Sequence, residues 1–129
     1  MIRPQTPRVS IVVPTYLATT KQADLLDETL GTVDAQDIDD YELIVVDDGS
    51  RVRAAPIVER HRNAPTIRRT NGGSAEARNA GIAAARGETL VFLDGDDHLL
   101  SGALSTGLHQ LEQYPESFPR LHVSLLEGS

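Results

Sequence analysis

Two short acidic clusters close apolar runs in this chain: Asp47 and Asp48 follow Leu43-Ile44-Val45-Val46, and Asp94, Asp96 and Asp97 follow Leu90-Val91-Phe92-Leu93. Five carboxylates in one desolvated cleft would repel one another and raise some of their pKa values unless a cation or hydrogen-bond donors intervene. A divalent ion resolves this. Hard oxygen ligands suit Mg²⁺ or Mn²⁺, which bind through one or two carboxylates and fill their other positions with water and substrate phosphates. The chemistry implied is therefore a phosphorylated ligand held by an acidic protein. Taken alone, each cluster is equally the turn and cap element that ends many strands. Pro14-Thr15-Tyr16 closes a third apolar run, and Tyr16 is either a rim aromatic or a platform for stacking on a base. Asn71-Gly72-Gly73-Ser74 is a turn that either caps a helix or receives an anion at its N-terminus. Arg78, one turn further on, is a solvated charge or reaches toward a diphosphate. His98 follows the second acidic cluster as a metal ligand or a rim residue, whereas His61, His109 and His122 share no metal-ligand spacing.

The elements that must position these groups follow from the apolar pattern. Residues 9–13, β-branched except for Ser10, lie between Pro7 and Pro14 and read as a buried strand. Leu26, Leu30 and Val33 fall at i, i+4 and i+7 in residues 21–36, one face of an amphipathic helix whose polar residues should face water. Residues 42–46 are almost wholly apolar, as in a strand buried on both faces. A short helix around residues 56–61 and an edge strand over 66–70 are expected next. Ser74 as N-cap and Gly87 as C-cap bound a helix over 74–86. Its alanines and Gly81 make it thin enough to lie close against a sheet, although Gly81 costs about 1 kcal/mol of helix propensity. A strand over 89–93, a helix marked by Leu104, Leu108 and Leu111, and a final strand at Leu121, Val123 and Leu125 complete the pattern. Strands alternating with helices predict right-handed crossovers and a three-layer α/β sandwich with a mostly parallel sheet. The residues after Val13, Val46 and Leu93 then share one edge, where open sheets of this kind bind ligands.

Composition narrows the possibilities. At 129 residues the chain is expected to form one domain. With no cysteine, disulfides, thiolate metal sites and a cysteine nucleophile are excluded. A formal charge of -7 argues against nucleic acid or an anionic membrane surface as the main partner. Apolar runs reach only four residues, against the ~20 needed to span a bilayer, and the first residues lack a signal-peptide core. The expectation is a cytoplasmic chain, at most peripheral to the inner face of a membrane. An unpaired sheet edge would favour a homodimer.

Residues 9–16 (VSIVVPTY), 42–50 (ELIVVDDGS), 71–87 (NGGSAEARNAGIAAARG) and 91–97 (VFLDGDD) resemble, in order and spacing, the nucleotide-sugar-binding half of family 2 glycosyltransferases with the GT-A fold. The likeness covers about residues 7–115. It implies that Pro14, Thr15, Tyr16 and Asp48, with Asp47 beside it, hold the base and ribose of a nucleotide-diphosphate sugar, a UDP-sugar first among them. Asp94 and Asp96 become the Asp-x-Asp pair that meets the ribose and a Mg²⁺ or Mn²⁺ ion, Asp97 extends the metal-binding cluster, and Arg78 is a further donor contact. The implied reaction is inverting transfer to an acceptor hydroxyl of a sugar, lipid or protein. Leu17 stands where the family usually has asparagine, and residues 18–24 form a longer lead into the first helix. The resemblance also implies an acceptor-binding half carrying the catalytic base, and residues 1–129 are expected to stop short of it, so no residue here is assigned as that base.

Three other readings compete. A non-catalytic nucleotide-sugar-binding module fits the missing acceptor half. A haloacid-dehalogenase-like phosphohydrolase shares the look of Leu93-Asp94-Gly95-Asp96, but there the motif ends the first strand. A dinucleotide-dependent oxidoreductase is disfavoured because Pro14-Thr15-Tyr16 occupies the place of a Gly-x-Gly-x-x-Gly turn.

Overall fold

The computed structural model describes residues 6–61 and 64–113. Four strands, β1 (Val9–Thr15), β2 (Tyr41–Asp48), β3 (Thr66–Arg69) and β4 (Thr89–Phe92), form one sheet in the order β3-β2-β1-β4. Every pairing is parallel, with Val9 beside Tyr41 on one side and Thr89 on the other. The helices are α1 (Thr20–Asp34), α2 (Ala55–Glu59), α3 (Ser74–Ala84) and α4 (Ala103–Gln113). Side chains alternate across the strands, so the sheet carries two cores. Val9, Ile11, Val13, Leu43 and Val45 pack with Leu26, Leu30 and Val33 of α1, with α2, and with Leu104 and Leu108 of α4. Val12, Ile44 and Val46 meet Ala77 of α3 on the opposite face. This is the expected three-layer parallel α/β sandwich. No helix among the described residues is long and apolar enough to cross a membrane.

Several boundaries differ from the sequence reading for local reasons. Pro14 does not end β1, which runs on to Thr15. Its missing N–H lies on the β4 side, as Val12 does, and pairing with β4 has already ended at Phe92. The helix α1 starts at Thr20 behind a capping box, in which Gln22 Oε1 accepts from the Ala18 and Thr19 amides at 2.6 and 3.3 Å. Its polar residues do not all face water: Thr29 is fully buried and Gln36, just past the helix, is 7% exposed. Thr29, Thr32 and Gln36 hydrogen-bond to the segment after β4.

The thin helix does lie close to the sheet, since a Cβ on Gly81 would stand 2.2 Å from Val12 Cγ1. However, Gly73 rather than Ser74 is its N-cap, at φ 96°, and Gly87 is not its C-cap. The helix stops at Ala84, with Ala85 extended as the cap. Beyond it the Arg86 amide donates to Glu42 Oε2 at 2.5 Å and the Gly87 amide to Ser10 Oγ at 2.7 Å. Gly87 is required for close approach, because a Cβ there would lie 2.6 Å from the Ser10 nitrogen. The strand expected at 121–125, with His122, lies outside the described residues.

Candidate functional site

The connections α1 and α2 carry the chain outward from β1 to β2 and β3, and α3 then returns it on the other face to β4. The strand order therefore reverses between β1 and β4, the place where open α/β sheets open a crevice at their carboxyl ends. A cleft of about 290 Å³ lies there, lined by Pro14, Thr15, Tyr16, Leu17, Asp94, Gly95 and Asp96, with Gln22 and Leu25 of α1 as a further wall. A smaller hollow of about 120 Å³ shares Pro14, Thr15, Tyr16 and Asp94 and reaches Asp48, Ser74 and Ala77. Tyr16 is 44% exposed, one of two large exposed hydrophobic residues among those described, and its ring borders both spaces. An aromatic face left open beside a polar cleft is available for stacking.

Asp47 and Asp48 part company because consecutive strand residues point to opposite faces. Asp48 lies on the α3 side. Its two oxygens accept the Gly72 and Gly73 amides, each at 3.0 Å, and Arg69 Nε stands 3.4 Å away. The turn read as an anion site thus already holds the chain's own carboxylate. Asp47 lies on the α2 side, is 1% exposed, and lines neither space. Its oxygens accept from Ser50 N at 2.9 Å, Ala54 N at 3.0 Å and Arg68 Nη1 at 3.0 Å. Burial alone would raise this carboxyl; the hydrogen bonds from Ala54 and Ser50 and the Arg68 charge outweigh it and hold it below its ordinary value. Asp47 therefore fastens the loop after β2, where the sequence reading placed it among the nucleoside contacts. Leu17 is 2% exposed and belongs to the core, while its amide donates to Ser50 Oγ at 2.7 Å.

Asp94 and Asp96 are both exposed on the cleft wall, and the turn between them closes with the Asp97 amide on the Asp94 carbonyl at 3.1 Å. Arg78 Nη2 comes within 3.8 Å of Asp94 Oδ1, and otherwise borders a separate hollow of about 320 Å³ with Phe92 and Ile82. Asp97 is half-buried; burial first, then the charges of Asp96 and Asp94, push its carboxyl up, with His98 opposing. His98 Nε2 is buried with no hydrogen-bond partner among the described residues. His61 is remote from the cleft, held between Asp34 and Asp27 of α1 at 2.6 Å on each ring nitrogen.

Among the described residues no three His, Asp or Glu side chains are arranged to hold a metal by themselves. Two open carboxylates beside a third whose charge is disfavoured nevertheless fit Mg²⁺ or Mn²⁺, which readily completes its shell with phosphate oxygens and water. The sequence reading missed Gln22 and Leu25 as walls of the cleft. The signal for Gln22 was present in Thr19-x-x-Gln22, the capping-box spacing; Leu25 falls off the Leu26 stripe and gave none.

A parallel α/β sheet with a polar cleft at its switch point is an architecture of nucleotide-handling proteins. Comparison with known sequences narrows that class: the chain belongs to glycosyl transferase family 2, whose pattern it matches over residues 10–122. It is 36% identical over 111 residues to the uncharacterized glycosyltransferase EpsJ of Bacillus subtilis, covering 83% of this chain and 31% of that protein. Among solved structures, S. aureus TarS 1-349 in complex with UDP-GlcNAc superposes with a TM-score of 0.75 at 30% identity, over 84% of this chain and 32% of that one. The mannosyltransferase PcManGT from Pyrobaculum calidifontis, in complex with GDP-Man and Mn²⁺, gives 0.71 at 28% identity, over 83% and 33%. The fold is thus GT-A, and the chain spans about a third of the length of these relatives.

Proposed function

We propose that these residues bind the nucleotide-diphosphate sugar of an inverting, metal-dependent glycosyl transfer, with a UDP-sugar as donor. The observation that carries the reading is the pair of open carboxylates, Asp94 and Asp96, on the wall of a cleft that also holds the exposed Tyr16 ring. Tyr16 stacks on the base, and Pro14, Thr15 and Asp48 border the space for the nucleoside. Asp94 and Asp96, with Asp97 behind them, would hold Mg²⁺ or Mn²⁺, and Arg78 steadies Asp94. The ion, when bound, supplies positive charge to the leaving diphosphate. The complexes of TarS with UDP-GlcNAc and of PcManGT with GDP-Man and Mn²⁺ support a nucleotide-sugar donor and a divalent ion. An acceptor and the base that deprotonates it are assigned to no residue here.

The test is calorimetric titration with UDP, GDP, dTDP and ADP, each with and without Mn²⁺, on the wild type and Asp96→Asn. Mn²⁺-dependent binding of UDP that Asp96→Asn abolishes is the expected result. Binding of none of the four overturns the donor site, and unchanged binding by the variant removes Asp96 from it. Release of sugar from a UDP-sugar would separate an active transferase from a binding module.

A further inference from the structure

One face of α1 is polar where it should be dry. Thr29 and Thr32 of α1 sit at i and i+3, neighbours on one side of the helix, and Gln36, two residues past its end, continues the line. All three reach the segment after β4. Thr29 Oγ1 donates to the Gly95 carbonyl at 3.1 Å. Thr32 Oγ1 accepts the Leu99 amide at 3.0 Å and donates to the Thr29 carbonyl at 2.6 Å. Gln36 Nε2 donates to the Leu100 carbonyl at 3.0 Å, and its Oε1 accepts the Leu104 amide, in the first turn of α4, at 3.2 Å. None of the three lines the cleft. Their backbone partners bracket Asp96 and Asp97 from both sides.

We propose that Thr29, Thr32 and Gln36 are positioning residues of the donor site, a polar ladder beneath the surface that fixes the backbone of the acidic turn so that Asp94 and Asp96 are already spaced for the metal and diphosphate. This rests on the donor-binding reading above. The ladder has mechanical work to do, because Asp94, Asp96 and Asp97 repel one another across a short turn, against which the turn's own backbone sets the Asp97 amide on the Asp94 carbonyl. Hydrogen bonds to backbone on either side of the cluster also oppose the repulsion, and they are partly or fully buried, where water replaces a lost bond less well than at the open surface. A purely apolar contact would have fastened α1 to this segment without fixing the turn's separation, since apolar packing is not directional.

Thr29→Val keeps the shape of the side chain and removes the donor, Thr29→Ser keeps the donor, and Thr32→Val breaks the next rung independently should Thr29→Val fail to fold. Amide hydrogen exchange in the absence of ligand reads the turn itself. The Mn²⁺ concentration that half-saturates UDP binding, and the UDP affinity at saturating Mn²⁺, read the site. We expect Thr29→Val to speed exchange over residues 94–99 with β1 and β2 unchanged. It should also raise the half-saturating Mn²⁺ concentration about 10-fold, as loss of the groups that orient metal ligands does, while UDP affinity at saturating Mn²⁺ stays within about twofold and Thr29→Ser restores both readouts. Unchanged exchange over 94–99, or equal losses in both binding constants, overturns the ladder. A wild-type chain that binds no UDP with Mn²⁺ refutes the donor-site reading instead, and the exchange result then decides the ladder alone.

Discussion

Replacing Gly81 with alanine sets two known terms against each other at the interface between α3 and the sheet. Helix propensity favours the variant by about 1 kcal/mol. Packing opposes it, because the new Cβ would lie 2.2 Å from Val12 Cγ1 and 3.3 Å from the rest of that side chain, well inside contact distance. Val12 cannot swing away: it is fully buried in a central strand and, being β-branched, is stiff at χ1. Nor can α3 simply lift, since Ala77, one turn earlier, is 1% exposed against the same face. Overpacking of this severity costs about 3 kcal/mol, the upper end of the usual range. The net expectation is a loss of about 2 kcal/mol, a fall of roughly 10 °C in Tm for a domain of this size. Val12→Ala alone should cost about 2 kcal/mol through the cavity it leaves. Combined with Gly81→Ala, the new methyl fills that cavity, so the double variant should be far less destabilised than the two losses added together. Urea unfolding followed by circular dichroism measures all three variants. A Gly81→Ala protein as stable as wild type, or strict additivity in the double variant, would refute the close-packing argument.

Gly95→Ala would place a Cβ 2.5 Å from Thr15 Oγ1, so the acidic turn must shift and Mn²⁺-dependent nucleotide affinity should fall about 10-fold; wild-type affinity in calorimetry would mean that the turn and Thr15 can part freely. His61 offers a pH test. Burial would lower its pKa, but hydrogen bonds and charges from Asp34 and Asp27 prevail and raise it above 6.5. A raised folded value means that its stabilisation is complete below pH 6.5 and is lost as pH climbs through the folded value. With Asp27 and Asp34 44% and 39% exposed, the screened effect should be on the order of 1 kcal/mol, read as a fall in urea midpoint from pH 6 to pH 9 that His61→Gln abolishes. A slope of equal size in His61→Gln would assign the effect elsewhere.

The elements that local pattern governs were legible in the sequence. The runs before Asp47 and Asp94, the Leu26-Leu30-Val33 stripe and the alanine-rich helix all appear where periodicity places them. So does the edge at which Tyr16 and the Asp94 turn meet. What the sequence hid depends on partners far along the chain. Adjacent aspartates read as one motif, yet the strand pleat sends Asp47 toward Ala54 and Arg68 and Asp48 toward Gly72 and Gly73. Thr29 and Gln36 count as polar in any helical wheel, and only the return of residues 95–104 beneath α1 buries them. Gly87 resembled a helix stop because its actual neighbour, Ser10, lies at the other end of the sequence.

The strand order has a kinetic consequence. The pairing of β1 with β2 and of β2 with β3 each closes one crossover, whereas β4 must return to Val9 from Thr89 across most of the described chain. Closing that span directly would cost more loop entropy than either crossover, so docking of β4 on β1 is favoured by prior pairing of β2 and β3, which leaves only residues 70–88 to be looped. The acidic turn hangs from the end of the β1–β4 seam, so β1, β2 and β3 can pair during synthesis before the cleft wall that carries Asp94 and Asp96 exists. A nascent chain halted before Thr89 would hold Tyr16 and Asp48 with nothing to close over them.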